Sequence, residues 1–231
     1  MSLRSPLMGD RLARRIPVPT VVRLPLYQRI LLDTHRRRTP TISSAELAEL
    51  AGVNAAKVRK DLSYLGTYGT PGTGYDVEYL LAQIERELGL DQDWPVVIVG
   101  MGNLGHALAR SPGFTSGGFR VAALLDTDPA KIGDIVGDCA IGHLDDLPAI
   151  AAERRLSIGV ITTPSSGAQD VLDRMVAVGI TSVLNFAPTV LTAPPNVCLR
   201  NVDLSVELQV LSFYQSHPEA AGLPGESHLG R

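Results

Sequence analysis

The sequence predicts an α/β chain in two parts: a small basic helical module in front and, behind it, a parallel sheet wound by helices. Three observations predict this. Charge divides unevenly along the 231 residues: 1–65 hold 12 Lys/Arg against 5 Asp/Glu (net +7), and 66–231 hold 9 against 19 (net −10). In the basic part, two short amphipathic helices flank a turn containing glycine. In the acidic part, β-branched runs alternate with helix-period segments, as a parallel sheet with crossover helices requires.

Composition narrows the class. With 45% hydrophobic and 19% charged residues the chain reads as globular. No apolar run reaches the ~18 residues of a membrane span, and the arginines up to Arg15 precede no apolar stretch, so no signal peptide is expected. Cys139 and Cys198 are too few for a disulfide scaffold or a cysteine-based metal cluster, and no metal site is expected. The expectation is a cytoplasmic protein without a membrane anchor.

Residues 1–19, with Pro6, Pro17, Pro19 and scattered arginines, read as a flexible tail, and residues 20–90 as the first domain. Leu24, Tyr27, Ile30, Leu31 and Thr34 recur at helical spacing, with Arg23, Arg29 and Arg36–Arg38 on the polar side and Pro25 expected in the first turn. Ser43 and Glu46 form a capping-box pattern that opens a helix over 45–51, which Gly52 stops. A second helix follows over 55–65, completing a helix-turn-helix pattern. Val58, Leu62 and Leu65 make its inward stripe, leaving Lys57, Arg59, Lys60, Ser63 and Tyr64 toward the outside. Such a face suits phosphates and guanine edges in a major groove; the alternative is a solvated basic surface.

The segment 66–75, with four glycines, three threonines and Tyr68 and Tyr75, suits a β-hairpin with Thr70 and Gly72 near its tip. That would make the module a winged helix; the alternative is an interdomain linker. An amphipathic helix is expected over 77–88, and 89–94 lead into the second domain.

The second domain, 91–202, is organised by Pro95–Val99 and the loop Gly100-Met101-Gly102-Asn103-Leu104-Gly105. In a dinucleotide-binding unit the first glycine makes the strand-to-helix turn, the second admits a pyrophosphate, and the third lets helix and strand pack closely. Residues 121–125 read as the next strand. It ends at Asp126, where a carboxylate would hold a ribose 2′-hydroxyl and repel a 2′-phosphate. In Asp126-Thr127-Asp128 the nearest cation is Lys131, so NAD(H) is favoured over NADP(H). Strands over 157–161 and 182–186 and a helix over 168–178 extend this Rossmann-like sheet. Ligands sit beyond the carboxyl ends of such strands, which adds Thr162, Thr163, Pro164, Asn185, Phe186, Ala187 and Pro188 as cofactor-site candidates. They read equally as strand-ending turns. Residues 203–217 form a helix with Leu204, Leu208, Leu211 and Tyr214 at helical spacing, to be buried on its own domain or on a second copy, and 218–231 are a second flexible tail.

No catalytic residue is identified. Past residue 80 the only lysine is Lys131 and the only tyrosine Tyr214, so a Tyr-x-x-x-Lys relay cannot be built within one chain. His143 lies in an apparent Gly-flanked turn and reads as a surface histidine. An NAD-dependent oxidoreductase with a basic interaction domain is the alternative to a nucleotide-responsive binding protein.

Several motifs in one order carry a more specific likeness: Val58-Arg59-Lys60-Asp61-Leu62-Ser63-Tyr64, Gly66-Thr67-Tyr68-Gly69, the glycine loop, Asn185-Phe186-Ala187-Pro188 and Asn201-Val202-Asp203. Over residues 20–216 the chain resembles the Rex family of redox-sensing transcriptional repressors. The resemblance implies a homodimer with winged-helix heads, Rossmann bodies and domain-swapped C-terminal helices. Such a dimer binds an inverted-repeat operator in double-stranded DNA when NADH is scarce and releases it when NADH rises, so it is not an enzyme. It implies operator contacts by Arg59 and Lys60 and a minor-groove wing at 68–72. It also implies a pyrophosphate over Gly100, Gly102 and Gly105, a ribose on Asp126, and a head-to-body pair between Arg29 and Asp203. In the segment Ser111–Phe114 the chain departs from the family: Ser111 stands where some relatives carry a tyrosine linked to nicotinamide sensing.

Overall fold

A computed structural model describes residues 16–67, 69–115, 117–217 and 220. Tyr68, most of the N-terminal tail and nearly all of the C-terminal tail lie outside the described residues. The chain divides into two compact units, one up to Gln92 and one from Asp93.

The first unit opens with α1 (Val18–Arg36), which starts six residues before Leu24. Pro17 is its N-cap and Pro19 lies in its first turn, where a fixed φ and a missing N–H cost nothing. Pro25 is therefore inside the helix rather than in its first turn. The donor it lacks would have bonded the carbonyl of Val21, an exposed position where water can serve. β1 (Thr41–Ile42) leads into α2 (Ser44–Leu50) through a complete capping box: Glu46 N–H donates to Ser43 Oγ at 3.1 Å and Ser43 N–H to Glu46 Oε2 at 2.8 Å. α3 (Ala55–Tyr64) is capped by Asn54, whose Oδ1 accepts from Lys57 N–H. Val58 and Leu62 are buried with Leu24, Tyr27, Leu31, Leu47 and, from α4 (Val77–Glu87), Leu80 and Ile84.

The expected hairpin shrinks to a turn. Among the described residues 66–75 hold a single bridge, Thr70 to Gly74, and β2 (Tyr75–Asp76) pairs antiparallel with β1 instead. Glycines at 69, 72 and 74 leave too few side chains to sustain a cross-strand ladder. Tyr75 turns inward to the core.

The second unit is a seven-stranded sheet, β5–β6–β4–β3–β7–β8–β9, parallel except at the β5 edge. Its strands are β3 (Trp94–Val99), β4 (Phe119–Asp126), β5 (Ile135–Val136), β6 (Cys139–His143), β7 (Ile158–Ile161), β8 (Ser182–Asn185) and β9 (Cys198–Asn201). Read from β6 to β9, this is the doubly wound dinucleotide-fold order, with its reversal between β3 and β7. Val97 and Val99 pack into one cluster with Leu125, Ile161, Leu172 and Met175; Val96 and Ile98 pack into another with Met101, Leu124 and Ile141. Adjacent residues of a strand point to opposite faces, so both faces are covered, by α5 (Asn103–Ala109), α6 (Leu147–Arg154) and α7 (Ser165–Ala177).

Three expectations are corrected. His143 ends strand β6 opposite Asp126 rather than lying in a turn; Gly142 interrupts the β-branched signal there. α7 begins three residues before Ala168, because Pro164 presets the extended entry to the helix. The region before Asp203 contains a further strand, β9. The last helix, α8 (Leu204–Ser216), is capped by Asp203, whose Oδ1 accepts from Ser205 N–H and Oγ. None of its residues is buried: Leu204, Leu208, Leu211 and Phe213 all stand more than half exposed.

Candidate cofactor cleft and nucleic-acid interface

The sheet reversal between β3 and β7 opens a cleft of about 690 Å³ at the strands' carboxyl ends. It brings together Gly100, Gly102, Asp126, Thr127, Asp128, Lys131, Thr162, Thr163, Pro164, Phe186 and Pro188. The glycine loop explains itself sterically. A Cβ on Gly105 would run into the carbonyl oxygen of Gly100, so this glycine permits α5 to close on β3. A Cβ on Gly102 would meet nothing within 4 Å, so the loop backbone there is open to a ligand. Thr162 Oγ1 donates to the Gly100 carbonyl at 2.7 Å and locks the loop against β7. Thr163 Oγ1, by contrast, is buried with no partner among the described residues and is available to a ligand in the cleft. An open backbone cradle and an unpaired hydroxyl fit a dinucleotide.

Asp126 does more than its position at a strand end suggests. Oδ2 accepts from Met101 N–H at 2.6 Å and from Lys131 Nζ at 3.1 Å; Oδ1 accepts from the N–H groups of Thr127 and Asp128 at 2.8 and 2.9 Å. All four lone-pair sites are taken, so the carboxylate anchors the glycine loop. Of these partners only Lys131 is a mobile side chain, and a ribose hydroxyl would enter by displacing it. Burial pushes the Asp126 carboxyl up, but the donors from Asp128, Lys131 and Met101 outweigh it and hold the group below its ordinary value. The same contact raises Lys131. Asp128 and Asp170 also line the cleft, where Lys131 is the one cation among the lining residues. A 2′-phosphate is disfavoured on charge.

Other candidates fall outside the cleft lining. The Met101 side chain is buried in the core, and Asn103 and Leu104 lie exposed on α5. Asn185 is buried and structural: its amide donates to the carbonyls of Ala187 and Thr189 and to Asn201 Oδ1, and its Oδ1 accepts from Ala187 N–H. Ala187 is core. Ser111 opens a short 3₁₀ turn over 112–114, and Phe114 packs against the core cluster that holds Met101. Sequence reasoning missed Val99, Leu144, Ser166, Gly167, Asp170 and Val171 in the lining. The Pro-Ser-Ser-Gly run at the true start of α7 was the available signal.

On the first unit a recess of about 680 Å³ lies between α3 and the 70–74 turn. It gathers Arg59, Lys60, Ser63, Thr70 and Gly72 and adds Ser43, Ser44, Thr67 and Thr73. Arg59 donates to Ser44 Oγ at 3.1 Å, so the first residue of α2 steers the guanidinium on α3. Ser63 Oγ donates to the Lys60 carbonyl. Thr67 is nearly buried, and its Oγ1 has no partner among the described residues. Lys57, fully on the outer face, and Tyr64, half-buried, do not line the recess. Arg29 lies on α1 and Asp203 caps α8, in different units.

Two family models match: "Putative DNA-binding protein N-terminus" over residues 15–63 and "CoA binding domain" over 91–189. A redox-sensing transcriptional repressor Rex from Streptomyces griseus is 62% identical over 88% of this chain and 80% of its own length. Another from Desulfitobacterium hafniense is 47% identical over 86% and 95%. Among solved structures, the Rex-family repressor RSP in complex with NADH is 33% identical with a TM-score of 0.81, covering 90% of this chain and 98% of that one. RSP in complex with NAD+ and operator DNA is 34% identical with a TM-score of 0.83, covering 92% and 98%. With a helical head, a doubly wound body and relatives of this identity over most of its length, the chain belongs to the Rex family of redox-sensing transcriptional repressors.

Proposed function

We propose that this chain represses transcription by binding an inverted-repeat operator as a homodimer and that it lets go when NADH occupies the cleft of the second unit. The observation that carries this reading is the pairing, in one chain, of an α3 face bearing Arg59 and Lys60 with a cleft shaped for a dinucleotide. Solved relatives with NADH and with NAD+ plus operator DNA support it. The cytoplasm is its place of action.

Each unit has a separable task. Arg59, Lys60 and Ser63, with the backbone of the 70–74 turn, meet DNA. Cations there neutralise phosphates and reach base edges, while the uncharged turn contributes shape. Gly100 and Gly102 admit the pyrophosphate and Gly105 lets α5 close behind it, Asp126 and Lys131 take the adenosine ribose, and Thr163 and Phe186 stand toward the nicotinamide end. The nucleotide acts as a ligand, not as a hydride source. It shifts the dimer between two arrangements by binding one of them better. In the first the recognition helices lie one DNA turn apart, ~34–36 Å; in the second that spacing is lost. The exposed apolar residues of α8 give the dimer its joint, each helix lying on the partner copy.

Lys60→Ala tests the division of labour. Operator affinity in a gel shift falls and its salt slope drops by about 1, while NADH binding followed by fluorescence stays at the wild-type level. Simultaneous loss of both activities contradicts two separable sites.

A further inference from the structure

Asp61 sits on α3 between Lys60 and Leu62, inside an otherwise basic helix, yet it is only 2% exposed. Its carboxylate accepts four hydrogen bonds, all from α1. Arg23 gives two, Nε to Oδ2 at 2.6 Å and a terminal N–H to Oδ1 at 2.7 Å; Thr20 Oγ1 and Tyr27 O–H each give one at 2.8 Å. Residues 20, 23 and 27 are spaced three and four apart and so share one face of α1. Burial pushes the Asp61 carboxyl up; donation by Arg23, Tyr27 and Thr20 outweighs it and leaves the group below its ordinary value. The pair is ionised.

A buried ion pair is a poor device for stability alone, because an apolar replacement of similar volume is often as good or better. What it supplies here is direction. Val58 and Leu62 hold α3 by apolar contact, which is non-directional and tolerates a roll of the helix about its axis. Four hydrogen bonds on one carboxylate do not. With a radius of ~5–6 Å including side chains, a roll of about 20° carries a side-chain tip about 2 Å sideways. That breaks a bidentate contact to a base edge, whereas attraction to phosphates survives it.

We propose that Asp61 is the positioning residue of the recognition helix: gripped by Thr20, Arg23 and Tyr27, it fixes the roll of α3 and with it the discrimination between operator and unrelated DNA. The inference rests on the reading of α3 as the helix that enters the major groove. It assigns Asp61 no contact with DNA.

The test uses the full chain and two variants, Asp61→Asn and Tyr27→Phe. The second removes one donor, keeps the ring and serves where the first fails to fold. Dissociation constants for an operator duplex and for a scrambled duplex of equal length and composition are measured at one salt concentration, with urea unfolding of each variant's head as the control for its folding and NADH binding as the control for the second unit. The expected result for Asp61→Asn is a fall of about tenfold or more in the ratio of operator to scrambled affinity, with scrambled binding and NADH binding near wild type. Tyr27→Phe lowers the ratio about threefold. Variants that bind NADH and keep the wild-type ratio overturn the proposal. So does a proportional loss of both DNA affinities, which makes Asp61 merely structural. A wild-type chain that does not distinguish the two duplexes overturns the DNA reading itself, and is told apart because it needs no variant.

Discussion

Asp61 in the head and Asp126 in the body are both nearly buried carboxylates, both held below their ordinary values, and each accepts four hydrogen bonds. Their donors differ in kind. Asp61 is gripped by side chains of another helix, and every partner belongs to the packing of the head. Asp126 is gripped by the backbone N–H groups of Thr127 and Asp128 beside it, by that of Met101 in the glycine loop, and by one lysine that is a third exposed. The first site is closed and orients an element that acts elsewhere. The second keeps one exchangeable partner at the edge of a cleft. A buried acid thus reads as scaffold or as binding group according to whether any of its donors can leave.

The largest expected effect breaks the closed site. Asp61→Asn leaves Arg23 without its counter-charge and destabilises the head by ~3 kcal/mol, measured by urea unfolding, with the second unit's NADH binding retained. A change below the error of the measurement would mean that the grip is solvated in solution. Next is the open site. Asp126→Ala removes the anchor of Met101 N–H together with the ribose acceptor, and NADH affinity falls about tenfold or more, while operator binding without nucleotide is unchanged. An unaltered NADH response would place the ribose elsewhere.

Gly102→Ala sharpens the contrast between anchoring and binding. Its φ of −84° suits any residue, and the new methyl meets no atom of the chain. Unfolding free energy stays equal or rises by ~0.5 kcal/mol, yet NADH binds more weakly because the methyl fills the space of the pyrophosphate. Undiminished NADH affinity would remove the phosphate from that loop.

The smallest effect is on pH dependence. Both carboxyls have depressed values in the folded chain, so their stabilisation is present above the ordinary value of 3.8 and is lost as pH falls below it. Tyr27, pushed by burial and by its bond to Asp61 from 10.0 up to about 12, holds its proton more tightly when folded. Its contribution is complete below pH 10 and lost as pH rises toward 12. Tyr27→Phe flattens the alkaline limb of an unfolding-versus-pH curve, and an unchanged limb contradicts the assignment.

The sequence makes some of this legible and hides the rest for identifiable reasons. The glycine loop and Asp126 are readable because backbone approach and strand length fix their spacing. The capping box at Ser43 and Glu46 is readable because both partners lie within one helical turn. Asp61 is hidden because its donors are 34 to 41 residues away, and a charged residue on a basic helix gives no local sign of burial. β6 is hidden because Cys139-Ala140-Ile141-Gly142-His143 carries little β-propensity of its own and is held by pairing with β4. The start of α1 is obscured by prolines, which mark a helix beginning as readily as a tail. Within Asn185-Phe186-Ala187-Pro188 the motif is visible but its roles are not. Phe186 and Pro188 line the cleft, while Asn185 and Ala187 hold the turn from inside.

The most direct measurement is a gel shift on an inverted-repeat operator at fixed salt, titrated separately with NADH and NAD+. The expected result is release by NADH at concentrations where NAD+ leaves the complex intact. Equal release by both nucleotides, or none by either, would contradict a repressor that reads the redox state of the cofactor through this cleft.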